Sequence, residues 1–232
     1  MSHEKIVERP KVRRHREVGQ DSVPHDTAAE IVTALLSWWA VNQRTYPWRY
    51  WSDPYRLLVT EVLLRQTRAP MVSAFVEEFF RDHPDPGSLL QAGETQLAKR
   101  LHPLGFSLQR SAQLVSLASH LVDREQPSWD YSELLDLPGI GKYSAGMVGA
   151  VLGLPTAAVD TNVARVLCRI FALTPSHLEA RKSPNVWRLA EALIAVSDEA
   201  APVTWALIDL AATLCVTRVP CCSECPLRWS CA

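Results

Sequence analysis

No stretch of this 232-residue chain stays apolar for the roughly 20 residues that a bilayer core demands. An apolar segment behind the N-terminus is missing as well. The opening MSHEKIVERPKVRRHREV is mixed in charge, which excludes a secretory signal. Alternating strand runs and Asn-Gly hairpins are absent, which removes the sandwich and barrel classes. So is an excess of basic charge: 24 Lys and Arg stand against 25 Asp and Glu, a net charge of −1. Any nucleic-acid surface must therefore come from local clustering. Together these absences lead us to expect an intracellular, cytoplasmic protein. In that reducing compartment its 6 cysteines read as metal ligands or buried thiols rather than disulfides.

What is present is helical. Hydrophobic residues make up 47% and charged residues 21%, enough apolar side chain to bury a sizeable core. Residues 1–24 have few large apolar groups and no period, and read as a flexible charged arm whose Lys11, Arg13, Arg14 and Arg16 form a basic cluster. From Thr27 onward Ile31, Leu35, Trp38 and Trp39 recur at helical spacing. An aromatic, proline-broken loop, TYPWRYWSDPY, follows; its Tyr46, Trp48 and Trp51 suit base stacking or, more commonly, core. Asp53-Pro54 is a helix start, an acid cap before a first-turn proline, and leads into YRLLVTEVLLRQ. Further helices are predicted from Pro70 to about HPDPG, over 88–92, over 95–101, and from Gln109 to about Arg124. The fold class is all-α.

Three features carry chemistry. In YSELLDLPGIGKYSAG, a short helix over Glu133–Leu137 and a second over Lys142–Leu152 flank a tight hairpin. Gly139 and Gly141 permit positive φ there and uncover backbone N–H groups, which with a helix N-terminus suit a phosphate. By spacing alone the string fits an ordinary helix–helix turn equally well. Second, Asp160 reads as the N-cap of a helix starting at Thr161, which fixes the carboxylate and leaves one oxygen available. Third, Cys215, Cys222, Cys225 and Cys231 give C-x6-C-x2-C-x5-C, which suits one Zn²⁺ or a [4Fe–4S] cluster; spacing leaves both open. Cys221 is a spare neighbour, and Cys168 sits on an apolar helix face as a core thiol.

LPGIGKYSAG and VDTNVARVLCR closely resemble the helix-hairpin-helix (HhH-GPD) DNA glycosylase superfamily, of endonuclease III and MutY type, from about residue 27 to the C-terminus. The resemblance implies two helical subdomains with DNA between them. A barrel over 46–154 would hold the hairpin, and residues 25–45 with 155–232 would hold an iron–sulfur cluster. Asp160 then matches the catalytic carboxylate, which stabilises the oxocarbenium-like sugar and orients water. Tyr143 stands where bifunctional members carry a lysine that forms a Schiff base, so hydrolysis without strand cleavage is implied. Lys142 and the hairpin glycines would meet phosphate.

Glu61, taken alone, is an ordinary helical glutamate; the resemblance gives it a part in handling the departing base. Gln66 matches the glutamine that enters the duplex where the target base is extruded. The cysteine spacing matches the family's [4Fe–4S] loop, with Arg218 and Arg228 beside the DNA backbone. Arg65 and PLGFSLQRSAQL lean toward the T/G mismatch-specific (Mig-type) thymine/uracil glycosylases. So does an end immediately after Cys231, with no domain to read 8-oxoguanine. The expected partner is double-stranded DNA with a mismatched or damaged base, bound by a monomer at the nucleoid. Adenine excision opposite guanine or 8-oxoguanine is the alternative. A non-catalytic binder of damaged DNA, or an electron-transfer iron–sulfur protein, are readings of a different class.

Overall fold

The computed structural model describes residues 23–122, 128–174 and 180–231. The basic cluster at 11–16 and the predicted helix end at Arg124 lie outside them. Ten α-helices follow one another, and no strand occurs among the described residues: α1 His25–Asn42, α2 Pro54–Leu64, α3 Ala69–Asp82, α4 Pro86–Leu101, α5 Ser107–Val122, α6 Tyr131–Asp136, α7 Lys142–Val151, α8 Thr161–Ile170, α9 Pro184–Ile194 and α10 Ala200–Thr213. The all-α expectation holds. None of these helices is long and apolar enough to cross a membrane.

Local chemistry explains the starts. Asp53 accepts from Tyr55 N at 3.0 Å with Pro54 in the first turn, and Asp130 accepts from Glu133 N at 2.9 Å, beginning α6 two residues before its predicted start. Asp85 and Ser88 close a reciprocal capping box at the head of α4. The two short helices read at 88–92 and 95–101 are halves of α4, separated at Gly93, whose φ of 69° breaks the helical path. Val23, ahead of the first helical turn, is buried in the same cluster as Ile31 and Leu35 of α1.

Buried side chains form two cores. One gathers Leu58, Leu63, Phe79, Leu97, Leu114, Leu117 and Leu134, from α2 to α6. The other gathers Ile31 and Leu35 of α1, Val163 and Leu167 of α8, Leu193 of α9 and Leu207 of α10, with Leu227. Each fully buried leucine contributes about 2 kcal/mol. Helix α7 belongs to both, sending Ala145 and Val148 into the first and Met147 and Ala150 into the second. Gly146 lets the Ala157 backbone pass close to α7, since a Cβ on it would meet the carbonyl oxygen of Ala157 at 1.9 Å. This close approach fixes the segment that leads to Asp160 against α7.

Candidate active site

A cavity of about 270 Å³ opens where the two cores meet. On α2, Leu57, Thr60, Glu61 and Leu64 line it, a single stripe at i, i+3, i+4 and i+7 with two polar residues between leucines. On α7, Tyr143, Met147, Val148 and Val151 face the same space. Asp160 and Asn162 border it from the head of α8, and Trp205 and Ile208 from α10. Tyr46 and Trp48, stacked at 4.8 Å and almost parallel, form a further wall. Trp51 instead packs edge-on against Phe80 beneath Arg56, away from the cavity lining.

Three residues singled out in the sequence, Glu61, Tyr143 and Asp160, thus share one cavity. Glu61 is 8% exposed. Burial raises its carboxyl to a pKa of about 7, with Asp160 adding to the rise, while the Ser144 hydroxyl and Arg65 oppose it. Burial, then Glu61 and Asp160, push the Tyr143 phenol well above its ordinary range. Ser144, one residue after Tyr143, was not read as a site residue; nothing in its local sequence distinguishes it from a helical serine.

The carboxylate of Asp160 is held on both sides. Its Oδ1 accepts from the backbone N–H groups of Asn162 at 2.8 Å and Val163 at 2.7 Å, the expected cap. Its Oδ2, which the sequence left free, accepts from Nδ2 of Asn162 at 2.8 Å. Asn162 in turn accepts from Arg165 at 3.0 Å, and Arg165 donates to the carbonyl of Cys215 at 3.0 Å. One short path of hydrogen bonds therefore runs from the cysteine segment to Asp160.

The residues expected at the DNA are distributed around the hairpin. Gln66 is exposed with φ of 51°, a left-handed backbone unusual for a side chain of its size. The Arg65 guanidinium donates to the carbonyl oxygen of Gly139, which also accepts from Gln113 at 3.0 Å. Gly139 has φ of 73°, as its role requires, and a Cβ there would collide with Gln113 at 2.0 Å. Gly141 departs from expectation: its φ is −99°, and it serves as the N-cap of α7, a position that glycine fills without a left-handed turn. The Ile140 N–H is spent on the carbonyl of Leu137 at 3.0 Å. Lys142 is exposed, with Nζ 3.8 Å from the centre of the Trp187 ring.

Sequence reading missed Asp209 of α10. It is fully buried and accepts from Trp39 Nε1 at 2.9 Å, from the Arg44 backbone at 3.0 Å and Nε at 2.6 Å, and from Arg49 at 2.7 and 2.8 Å. Burial alone would raise its pKa, but the bonds from Arg49, Arg44 and Trp39 hold it below the ordinary carboxylate value. Two guanidinium groups on one carboxylate leave a surplus positive charge at the cavity wall, which Arg44 and Arg49 both line.

Around the cysteines, Arg169 donates to the sulfur of Cys215 at 3.3 Å and to the carbonyls of Val216 and Thr217. Burial and the neighbouring thiols of Cys215 and Cys222 raise Cys225; burial, Cys215, Cys225 and Cys222 raise Cys231. Among the described residues, however, no three His, Cys, Asp or Glu side chains form a group able to hold a single metal ion. Cys221 is exposed, while Cys168 is half-buried against the second core, as a core thiol should be.

Residues 59–200 match the model of the HhH-GPD superfamily base excision DNA repair proteins. A thymine-DNA glycosylase of Aeropyrum pernix is 34% identical over 202 residues, spanning 85% of this chain and 91% of that protein. A thymine/uracil-DNA glycosylase of Methanothermobacter thermautotrophicus is 32% identical over 211 residues, spanning 87% and 92%. The human adenine DNA glycosylase is 31% identical over 212 residues, but the match covers only 38% of its length. The solved structure of a thermostable thymine-DNA glycosylase superposes with a TM-score of 0.82 at 31% identity, over 89% of this chain and 96% of that one. The chain belongs to the HhH-GPD superfamily of base excision DNA repair proteins, and its enzymatic class is that of the DNA glycosylases.

Proposed function

We propose that the protein is a monofunctional glycosylase that removes thymine or uracil mispaired with guanine and leaves the abasic site uncut. The observation that carries this reading is the convergence of Glu61, Tyr143 and Asp160 on one cavity, in a chain whose relatives are named for thymine and uracil. The target base leaves the stack and enters the cavity, because its glycosidic bond is out of reach inside a duplex. As that bond lengthens, positive charge grows at the sugar, and the fixed Asp160 carboxylate stabilises it and orients the attacking water. Glu61, whose burial lets a substantial share keep its proton near neutral pH, donates that proton toward the departing base. Tyr143 has no amine to form an imine, so water adds at the anomeric carbon, losing its proton to Asp160, and the sugar stays in the strand as an abasic site.

Gln66, Arg65, the hairpin glycines and Lys142 make up the surface for double-stranded DNA, which the protein binds as a monomer and without a membrane. Cys215, Cys222, Cys225 and Cys231 are the residues that would hold a [4Fe–4S] cluster. An all-thiolate donor set suits it, and a four-iron cubane spreads its ligands wider than one ion with bonds of about 2.3 Å. When bound, the group supplies a structural crosslink that pins residues 215–231 against Arg169.

The test is a panel of duplexes containing G·T, G·U, A·G and A·8-oxoguanine, analysed with and without alkali. Alkali-dependent breaks at thymine and uracil are expected; excision of adenine alone overturns the substrate assignment.

A further inference from the structure

Arg110 is buried, at 3% exposure, in the first turns of α5. Among the described residues no carboxylate pairs with it. Its guanidinium is spent on two loops nearly 40 residues apart. One amino group donates to the carbonyls of Leu104 at 2.8 Å and Gly105 at 3.0 Å; the other donates to the carbonyl of Arg65 and the hydroxyl of Thr67. A buried cation without an anion is costly, so its retention calls for a purpose.

The carbonyls it holds are informative. Arg65 immediately precedes Gln66, and Gly105 immediately precedes Phe106. These two residues carry φ of 51° and 49°, and both side chains are exposed, Phe106 at 57%. A non-glycine residue in the left-handed region costs on the order of 1–3 kcal/mol and persists only where its surroundings over-determine it. Gripping the carbonyl of the preceding residue fixes the peptide plane about which each φ is set. The Phe106 ring centre lies 6.0 Å from the Arg110 guanidinium carbon. Loop 65–67 adjoins the cavity, whose lining includes Leu64 and Thr67. Three residues along α5, Gln113 reaches the Gly139 carbonyl that also accepts from Arg65. One helix face thus knits the cavity loop, the Phe106 loop and the hairpin into a single rim.

We propose that Arg110 is a positioning residue: it braces Gln66 and Phe106 as two preset prongs, so that a paired base is extruded without first ordering the loops. The inference rests on the reading of the cavity as a base pocket. Bracing matters only while a pair must be broken and a stack opened, because preorganisation removes an ordering cost from that step. The bond-breaking groups, Glu61 and Asp160, are not among the residues Arg110 touches.

The experiment compares single-turnover excision of uracil opposite guanine with uracil opposite a tetrahydrofuran abasic analogue, where no base pair has to be broken. Arg110→Met should be about tenfold slower on the paired substrate, as for one or two lost hydrogen bonds, and within about twofold of wild type on the unpaired one. Arg110→Lys keeps the charge but loses the planar fork, and should fall between. Should Arg110→Met not fold, the lysine variant carries the comparison, with a loss of several-fold on the paired substrate alone. Equal losses on both duplexes, or no loss on either, overturn the brace. A wild-type protein that excises uracil from neither duplex overturns the base-pocket reading and the extrusion device with it, whereas wild-type activity beside unselective variants overturns the brace alone.

Discussion

Nδ2 of Asn162 donates to Oδ2 of Asp160 at 2.8 Å, so the carboxylate that caps α8 is also clamped from its open side. Capping and catalysis then make separable demands on one side chain. Asp160→Asn preserves a side-chain oxygen for the cap, so thermal stability should change by no more than about 1 kcal/mol. Excision should nevertheless fall about a thousandfold or more, since the charge facing the developing cation is gone. Asn162→Ala keeps the charge and loosens its aim, with a smaller expected loss of about tenfold. Thermal melts run beside single-turnover assays check both. Wild-type excision by Asp160→Asn would remove the aspartate from the reaction.

Glu61 makes the fold depend on pH below about 7 and the reaction depend on pH above it. Its carboxyl titrates near 4.5 when unfolded and at about 7 when folded. Between those values the unfolded chain has lost a proton that the native state keeps. Stability therefore falls as pH rises from about 4.5 to 7, by at most about 3 kcal/mol, and is level on either side. Glu61→Gln should abolish that slope in melts taken across the window. Excision by the wild type should decline above about pH 7 as the proton donor ionises. A rate that stays flat from pH 6 to 8.5 would show that Glu61 does not act as an acid.

Much of this site was legible because its signals are local. Asp53-Pro54, Asp160-Thr161 and the LPGIG turn announce themselves within a few residues. Asp209 was not legible: its partners Trp39, Arg44 and Arg49 lie 160 to 170 residues away. Arg110 was hidden because three of its four acceptors are backbone carbonyls, which every residue has. Gly146 reads as a tolerated helical glycine until Ala157 is seen against it. Asn162 alone had a usable signal, standing two residues after a helix cap with an amide able to fold back.

Tyr143 lines the cavity beside Glu61 and Asp160, so its replacement tests the absence of lyase chemistry directly. Tyr143→Lys places an amine beside the sugar carbon from which the base departs, and the two neighbouring carboxyl groups offset its burial. Strand nicking without alkali should appear, together with a protein–DNA adduct trapped by borohydride. If no adduct forms while the variant still binds mismatched duplex, the side chain at 143 does not face the sugar carbon.

Thr60 and Asp209 show how differently buried polar groups stand beside this cavity. The Thr60 hydroxyl has no partner among the described residues, so Thr60→Val should leave stability unchanged or raise it. Asp209 has five donated hydrogen bonds, and its removal leaves the Arg44 and Arg49 guanidinium groups against Trp39, Tyr46 and Trp205 with no anion. Asp209→Ala should destabilise by about 3–5 kcal/mol, a drop in melting temperature on the order of 10 °C for a chain of this length. Removing Arg49 as well, in Arg49→Met with Asp209→Leu, should recover part of that loss, because an apolar pair needs no counter-charge. Excision should not recover with it, since Arg44, freed from the carboxylate that fixed it, no longer holds the cavity wall in place. Recovery of both stability and rate in the double variant would mean that the ion pair shapes the fold and not the pocket.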